Sequence, residues 1–152
     1  MVIATSSPKD FDLVRSRGAD AVFDYHDGAQ CARQIKEYAQ NRLHHILDCV
    51  STLSSSAICA ASFPSSSTAE LRFVSLQPLE SWLRNDVNTM VVQAQQTFDE
   101  AYMSKNDLPA MKEQLEFEVG FWEMTERLVA EGRIVPHPVT AREGGLGAIP
   151  GG

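Results

Sequence analysis

The sequence holds 152 residues, 43% hydrophobic and 22% charged, a balance that fits one ordinary globular domain and excludes collagenous, disulfide-scaffold and wholly disordered chains. Thirteen basic against twenty acidic side chains leave a formal charge of −7 with no basic run, so the electrostatic footprint of a nucleic-acid or anionic-membrane binder is missing and neither is an expected partner. No apolar stretch approaches the roughly 20 residues that span a bilayer, and Met1 to Ser7 lacks the basic start and apolar stretch of a signal peptide, so the chain reads as soluble and cytoplasmic.

In chain order, Val2-Ile3-Ala4 is a short strand, rich in β-branched residues. Ser7-Pro8-Lys9-Asp10 then joins an N-cap serine, a proline suited to the first helical position and an acidic first turn, which predicts a helix from Pro8. Its apolar stripe is Phe11, Leu13 and Val14, and Gly18, behind Arg15 and Arg17, stops it near Arg17. Ala21-Val22-Phe23 is the second strand, Asp27-Gly28 a turn and cap, and Ala29 to Ala39 a second helix with Ala32, Ile35 and Ala39 on one face. Ile46-Leu47 is a third strand, ending at Asp48. The serine-rich stretch Ser51 to Thr68 permits a small-residue helix through Leu53, Ala57, Ile58, Ala60 and Ala61, before Pro64 and Ser65-Ser66-Ser67 form a loop. Leu71, Phe73 and Val74 make a fourth strand and Thr89 to Val92 a weaker fifth, with irregular chain from Gln77 to Asn88 between them. From Pro109 to Glu131 helical spacing runs through Met111, Leu115, Val119, Trp122, Leu128 and Val129, with Gly132 as the stop. Ile134 to Val139 is extended, because Pro136 and Pro138 bias their predecessors out of the helical region.

Strands alternating with helices at this short spacing require parallel pairing with helical crossovers, since antiparallel neighbours would need only hairpins; the fold class is α/β. Cys31, Cys49 and Cys59 are odd in number, scattered and without a Cys-x-x-Cys pair, so they read as buried free thiols rather than as a disulfide framework or a zinc site. His26, His44, His45 and His137 have no second ligand at metal-binding spacing, and no metal is expected. A strand, a glycine-rich turn and a helix N-terminus would together cradle a dinucleotide pyrophosphate. No such turn occurs here: Gly144-Gly145-Leu146-Gly147 and Gly151-Gly152 follow no convincing strand and open no helix, and read as loop and chain end.

The blocks Val2 to Val14 and Arg17 to Tyr25, then Leu47-Asp48-Cys49-Val50-Ser51, Phe73-Val74-Ser75-Leu76 and Leu128 to Val139, resemble in order the zinc-independent medium-chain dehydrogenase/reductases, specifically the fungal trans-acting enoyl reductases that partner polyketide synthases. The first and last blocks carry the resemblance most specifically, and the stretch Gln77 to Phe117 least. The resemblance implies a partial Rossmann domain, a doubly wound parallel sheet missing its first strand and helix, over residues 1–104. Residues 105–152 would be a long C-terminal helix and a return segment toward a substrate domain that has no counterpart in the sequence. Such a chain would be a fragment: a truncated gene model, a split gene or a degenerate paralogue. In the usual 3-2-1-4 order the missing strand is central, so the strands at Ile3 and Leu47 must either close together or accept a strand from elsewhere.

A carboxylate at the end of the second Rossmann strand accepts from the ribose of NAD, whereas a 2′-phosphate needs donors and positive charge. Here Thr5-Ser6-Ser7 and Lys9 stand at that point, so the resemblance implies NADPH, with Ser7 and Lys9 on the phosphate and Tyr25 near the adenosine. Val50, Ser51 and Leu76 match positions that border the nicotinamide. No residue is a persuasive proton donor; Asp48 is expected to bond locally in the turn after its strand, and His137 to be a loop residue. The implied activity is that of an NADPH-dependent enoyl reductase of polyketide secondary metabolism, weak or inactive as this chain alone, with a polyketide synthase or a second copy as partner. The alternative is a non-redox interaction or scaffold protein, motivated by open strand edges and by Phe117, Phe121 and Trp122 on the long helix.

Overall fold

The computed structural model describes residues 1–79, 82, 84–92, 112–139, 141 and 143. It has two compact units, Met1–Leu115 and Glu116–Gly152. The expected boundary at residues 104/105 and both glycine clusters lie outside the described residues.

In the first unit, β1 (Ile3–Ser6) pairs in parallel with β2 (Ala21–Asp24), Ile3 opposite Ala21 and Ser6 opposite Asp24. The connection is helical over the span the sequence predicts, but its first turn is 3-10. A single 3-10 turn, Pro8–Asp10, precedes a six-residue helix α1 (Phe11–Ser16), and Ser7 makes no side-chain capping bond. Gly18 ends the connection with φ of +103°, a left-handed conformation that only glycine adopts without strain.

Helix α2 (Gly28–Tyr38) starts where the Asp27 carboxylate accepts from the Gln30 backbone N–H at 3.0 Å, and it buries Cys31, Ala32 and Ile35. It leads into β3 (His45–Asp48), which is followed by α3 (Leu53–Ser62), β4 (Leu71–Ser75) and β5 (Val87–Val91). These three strands form a second parallel sheet in the order β3-β4-β5, with Ile46 opposite Phe73 and Phe73 opposite Thr89. The fifth strand thus begins inside the stretch expected to be irregular. Val87 is drawn into it by burial, because its side chain completes an apolar cluster with Phe63, Leu71 and Phe73. Trp82 stacks on Phe73 with ring centroids 4.2 Å apart, and the Arg84 guanidinium lies 5.8 Å from the centre of the Phe63 ring.

The strands at Ile3 and Leu47 do not close together. Among the described residues β1 pairs only with β2 and β3 only with β4, so the α/β unit holds two parallel half-sheets. What joins them is helical: α2 packs on α3, so closely that a Cβ on Gly28 would come within 3.1 Å of Ile58 Cγ1.

Helix α4 (Lys112–Ala130) runs from the end of the first unit into the second; the predicted start at Pro109 lies outside the described residues. It stops as the sequence predicts. Gly132 takes φ of +68°, and the Arg133 N–H returns to the Leu128 carbonyl at 2.9 Å. Phe117, Phe121 and Trp122 are exposed on it, and residues 133–139 after it carry no regular structure. Among the described residues no helix is long and apolar enough to cross a membrane.

Candidate functional site

Parallel pairing brings the carboxyl ends of β1 and β2 side by side, the position at which open α/β sheets bind ligands. Ser7 and Tyr25 each follow one of these ends, and their hydroxyls share a hydrogen bond of 3.1 Å. The Ser7 hydroxyl bonds Tyr25 and does not make the helix-capping bond that its sequence position suggests. Lys9 stands exposed on the 3-10 turn two residues later. Behind Tyr25, the His26 ring stacks on the phenol at 4.4 Å, while its Nδ1 meets Asp24 Oδ1 at 2.5 Å. The same Asp24 oxygen accepts from the His26 backbone N–H at 3.0 Å, and this bond first, then the ring, holds the Asp24 carboxyl below its ordinary range. Sequence reasoning missed this Asp24–His26 support; the Asp-Tyr-His spacing at a strand end is the signal that carried it.

A second cluster lies at the ends of β3 and β4. Asp48, only 5% exposed, accepts from the Val50 N–H at 2.9 Å, the Ser51 N–H at 3.0 Å and the Ser55 hydroxyl at 2.7 Å. This is the local turn bonding expected of it. Ser51 takes φ of +57°, and its hydroxyl donates to the Asp48 carbonyl at 3.0 Å while accepting from the Leu76 N–H at 2.9 Å and the Gln77 N–H at 3.3 Å. One hydroxyl thus ties the end of β3 to the end of β4, and Ser51 and Leu76 meet.

Between the two half-sheets lies a cavity of about 680 Å³ lined by Ile3 and Thr5 on one side and by His45 and Leu47 on the other. Tyr25 and Val50 also line it, so one residue from each strand-end cluster borders the same space. Ile35 of α2 and Ile58 of α3 contribute apolar surface. The cysteines differ from the uniformly buried set expected: Cys31 is buried and Cys59 half-buried, but Cys49 is exposed, because it follows β3 into the turn over Asp48 rather than facing a helix. Burial pushes the Cys59 thiol up to about 12. His137 is an exposed loop residue of the second unit, its Nδ1 3.1 Å from the Pro138 carbonyl oxygen.

The donor set can be tested against a phosphorylated dinucleotide. Two hydroxyls and a free-standing lysine at the β1/β2 end suit a phosphate monoester, which takes hydrogen-bond donors and a cation. A pyrophosphate needs unspent N–H groups at a helix start. The start of α2 holds the Asp27 carboxylate, and that of α3 is closed by a reciprocal capping box between Thr52 and Ser55. The β1/β2 end therefore fits a phosphate monoester, and the side-chain-capped starts of α2 and α3 do not offer a pyrophosphate cradle.

A scan against protein-family models gave no match. Among curated proteins, the chain is 41% identical to the dual trans-enoyl reductase/FAD-dependent monooxygenase tazHJ of Aspergillus terreus, over 97% of the chain and 21% of that protein. It is 34% identical to the trans-enoyl reductase ACTTS2 of Alternaria alternata, over 99% of the chain and 42% of that protein. To the enoyl reductase component lovC of lovastatin nonaketide synthase, from Aspergillus terreus, it is also 34% identical, over 97% of the chain and 40% of that protein. The chain spans less than half the length of each of these relatives. Over nearly its whole length, the chain is a homologue of part of these fungal enoyl reductases.

Proposed function

We propose that this chain is the nucleotide-binding portion of an NADPH-dependent trans-acting enoyl reductase of polyketide secondary metabolism, acting with a polyketide synthase. The observation that carries the reading is the Ser7–Tyr25 hydroxyl pair at adjacent parallel strand ends with Lys9 on the following turn. When bound, NADPH supplies the hydride for reducing an enoyl thioester. In this reading Ser7 and Lys9 hold the 2′-phosphate. Tyr25, steadied by His26, lies against the adenosine, and Val50, Ser51 and Leu76 border the nicotinamide half. Asp48 positions the Val50 and Ser51 backbone and takes no part in proton transfer, since its oxygens already accept three bonds. The division of labour follows the sequence: residues 1–104 bind the nucleotide, and residues 105–152 lead toward the substrate-binding part.

Calorimetric titration of NADPH into the 152-residue chain tests this. The reading expects weak binding, in the region of about 1 mM or somewhat tighter, that falls about tenfold in Lys9→Ala. Equal heats from NADH and NADPH, or an unchanged isotherm in the variant, would remove the phosphate role from Ser7 and Lys9.

A further inference from the structure

Asp24 holds one residue twice. Its Oδ1 accepts from the His26 backbone N–H at 3.0 Å and lies 2.5 Å from the His26 Nδ1. An ionised carboxylate only accepts, so Nδ1 carries the hydrogen, and a second proton on the ring goes to Nε2. The two bonds close a small ring that sets the plane of the imidazole. That plane lies 21° from the Tyr25 phenol, with ring centroids 4.4 Å apart. At its far end the phenol hydroxyl is held by Ser7 at 3.1 Å. Tyr25 is thus fixed at its face and at its tip, and the face contact depends on how Asp24 orients His26. The His26 and Asp24 side chains are 58% and 42% exposed, where an ion pair adds little stability. What the pair supplies is orientation and charge.

Charge matters here because acids surround the corner. Asp10 follows Lys9 on the 3-10 turn, Asp24 ends β2 and Asp27 caps α2. Cys31 of α2 adds none at neutral pH: its thiol is pushed up, by desolvation first and then by Asp24 and Asp27. A phosphate monoester carries up to two negative charges, and protonated His26, in contact with both Asp24 and Tyr25, is placed to offset one carboxylate. We infer that His26 is a positioning and specificity residue of the adenosine end, whose protonated ring braces Tyr25 and offsets Asp24, so that a 2′-phosphate binds more tightly when His26 is charged than when it is neutral. The inference rests on the reading that Ser7, Lys9 and Tyr25 meet the adenosine 2′-phosphate. Histidine is the side chain that changes charge between pH 5 and 8. Losing the proton removes a positive charge, so the contribution of His26 falls as pH rises. The second ionisation of the phosphate, near pH 6, acts in the opposite direction and cancels when two proteins are compared at one pH.

Adenosine 2′-phosphate is titrated into the 152-residue chain at about pH 6 and about pH 8.5, with binding read from the carbon-bound ring protons of Tyr25 by NMR. The unmodified chain should bind about fivefold more tightly than His26→Gln at the lower pH and equally at the higher one. His26→Arg, which keeps its charge throughout, should exceed His26→Gln by about fivefold at both. Before any nucleotide is added, the Tyr25 ring protons should shift in step with the His26 ring as pH is raised, and less so in Asp24→Asn. A ratio to His26→Gln that does not change with pH, or Tyr25 resonances that ignore the ionisation of His26, would overturn the inference and leave the phosphate roles of Ser7 and Lys9 standing. Absence of binding by the unmodified chain at both pH values would remove that underlying reading, and the inference with it.

Discussion

At Asp48 three donors converge on one carboxylate, two of them backbone N–H groups of the turn that carries Val50 and Ser51. Removing the carboxylate leaves those N–H groups in a site that is itself buried, and an unsatisfied buried donor costs more than the bond it loses. Asp48→Ala should therefore destabilise the chain by about 3 kcal/mol, and Asp48→Asn, which keeps one acceptor oxygen, by about half of that. Urea unfolding measures both, and a change under about 0.5 kcal/mol in Asp48→Ala would show that the turn is held by something else. This role was legible in the sequence, because a carboxylate at a strand end before a serine-rich turn has local donors in reach. The destination of the Ser7 hydroxyl was not. Its N-cap position and its partner Tyr25 are eighteen residues apart, and only the β1/β2 register brings the two together.

The elements themselves follow from local chemistry, and their pairing does not. The short β-branched runs, the Asp27 cap and the small-residue helix at Leu53–Ser62 are each decided within a few residues, and each forms where the sequence predicts it. Val87 shows the limit: nothing local marks it as a strand start, yet the Phe63 and Phe73 cluster it completes lies across the sheet. The contacts between α2 and α3 were likewise undecidable from pattern, because they join residues far apart in the chain. Gly28 makes one of these contacts. A Cβ there would sit 3.1 Å from Ile58 Cγ1 and 3.4 Å from Cδ1, and Ile58 borders the cavity, so it can yield to one carbon. Gly28→Ala should be close to neutral, while Gly28→Val, with two further carbons in the same gap, should cost about 1–3 kcal/mol in a denaturation midpoint. Equal stability of all three proteins would show that the α2–α3 contact at Gly28 is not close-packed.

On the scale of the whole chain, the homology and the geometry account for different things. The relatives are trans-enoyl reductases, and this chain covers less than half of each of the three compared. Its own residues supply a hydroxyl pair beside an exposed lysine at β1/β2, a fixed turn at β3/β4 and a cavity between the half-sheets. The starts of α2 and α3 already carry side-chain caps. In the proposed reading, nearly all the cofactor affinity of these 152 residues should reside in the adenosine and its 2′-phosphate. The most direct measurement is therefore a calorimetric comparison of NADPH, adenosine 2′-phosphate and adenosine 5′-phosphate on the unmodified chain. The account predicts that NADPH and adenosine 2′-phosphate bind within about threefold of each other and that adenosine 5′-phosphate binds about tenfold more weakly or not at all. NADPH binding a hundredfold or so more tightly than adenosine 2′-phosphate, or equal binding of the two monophosphates, would contradict it.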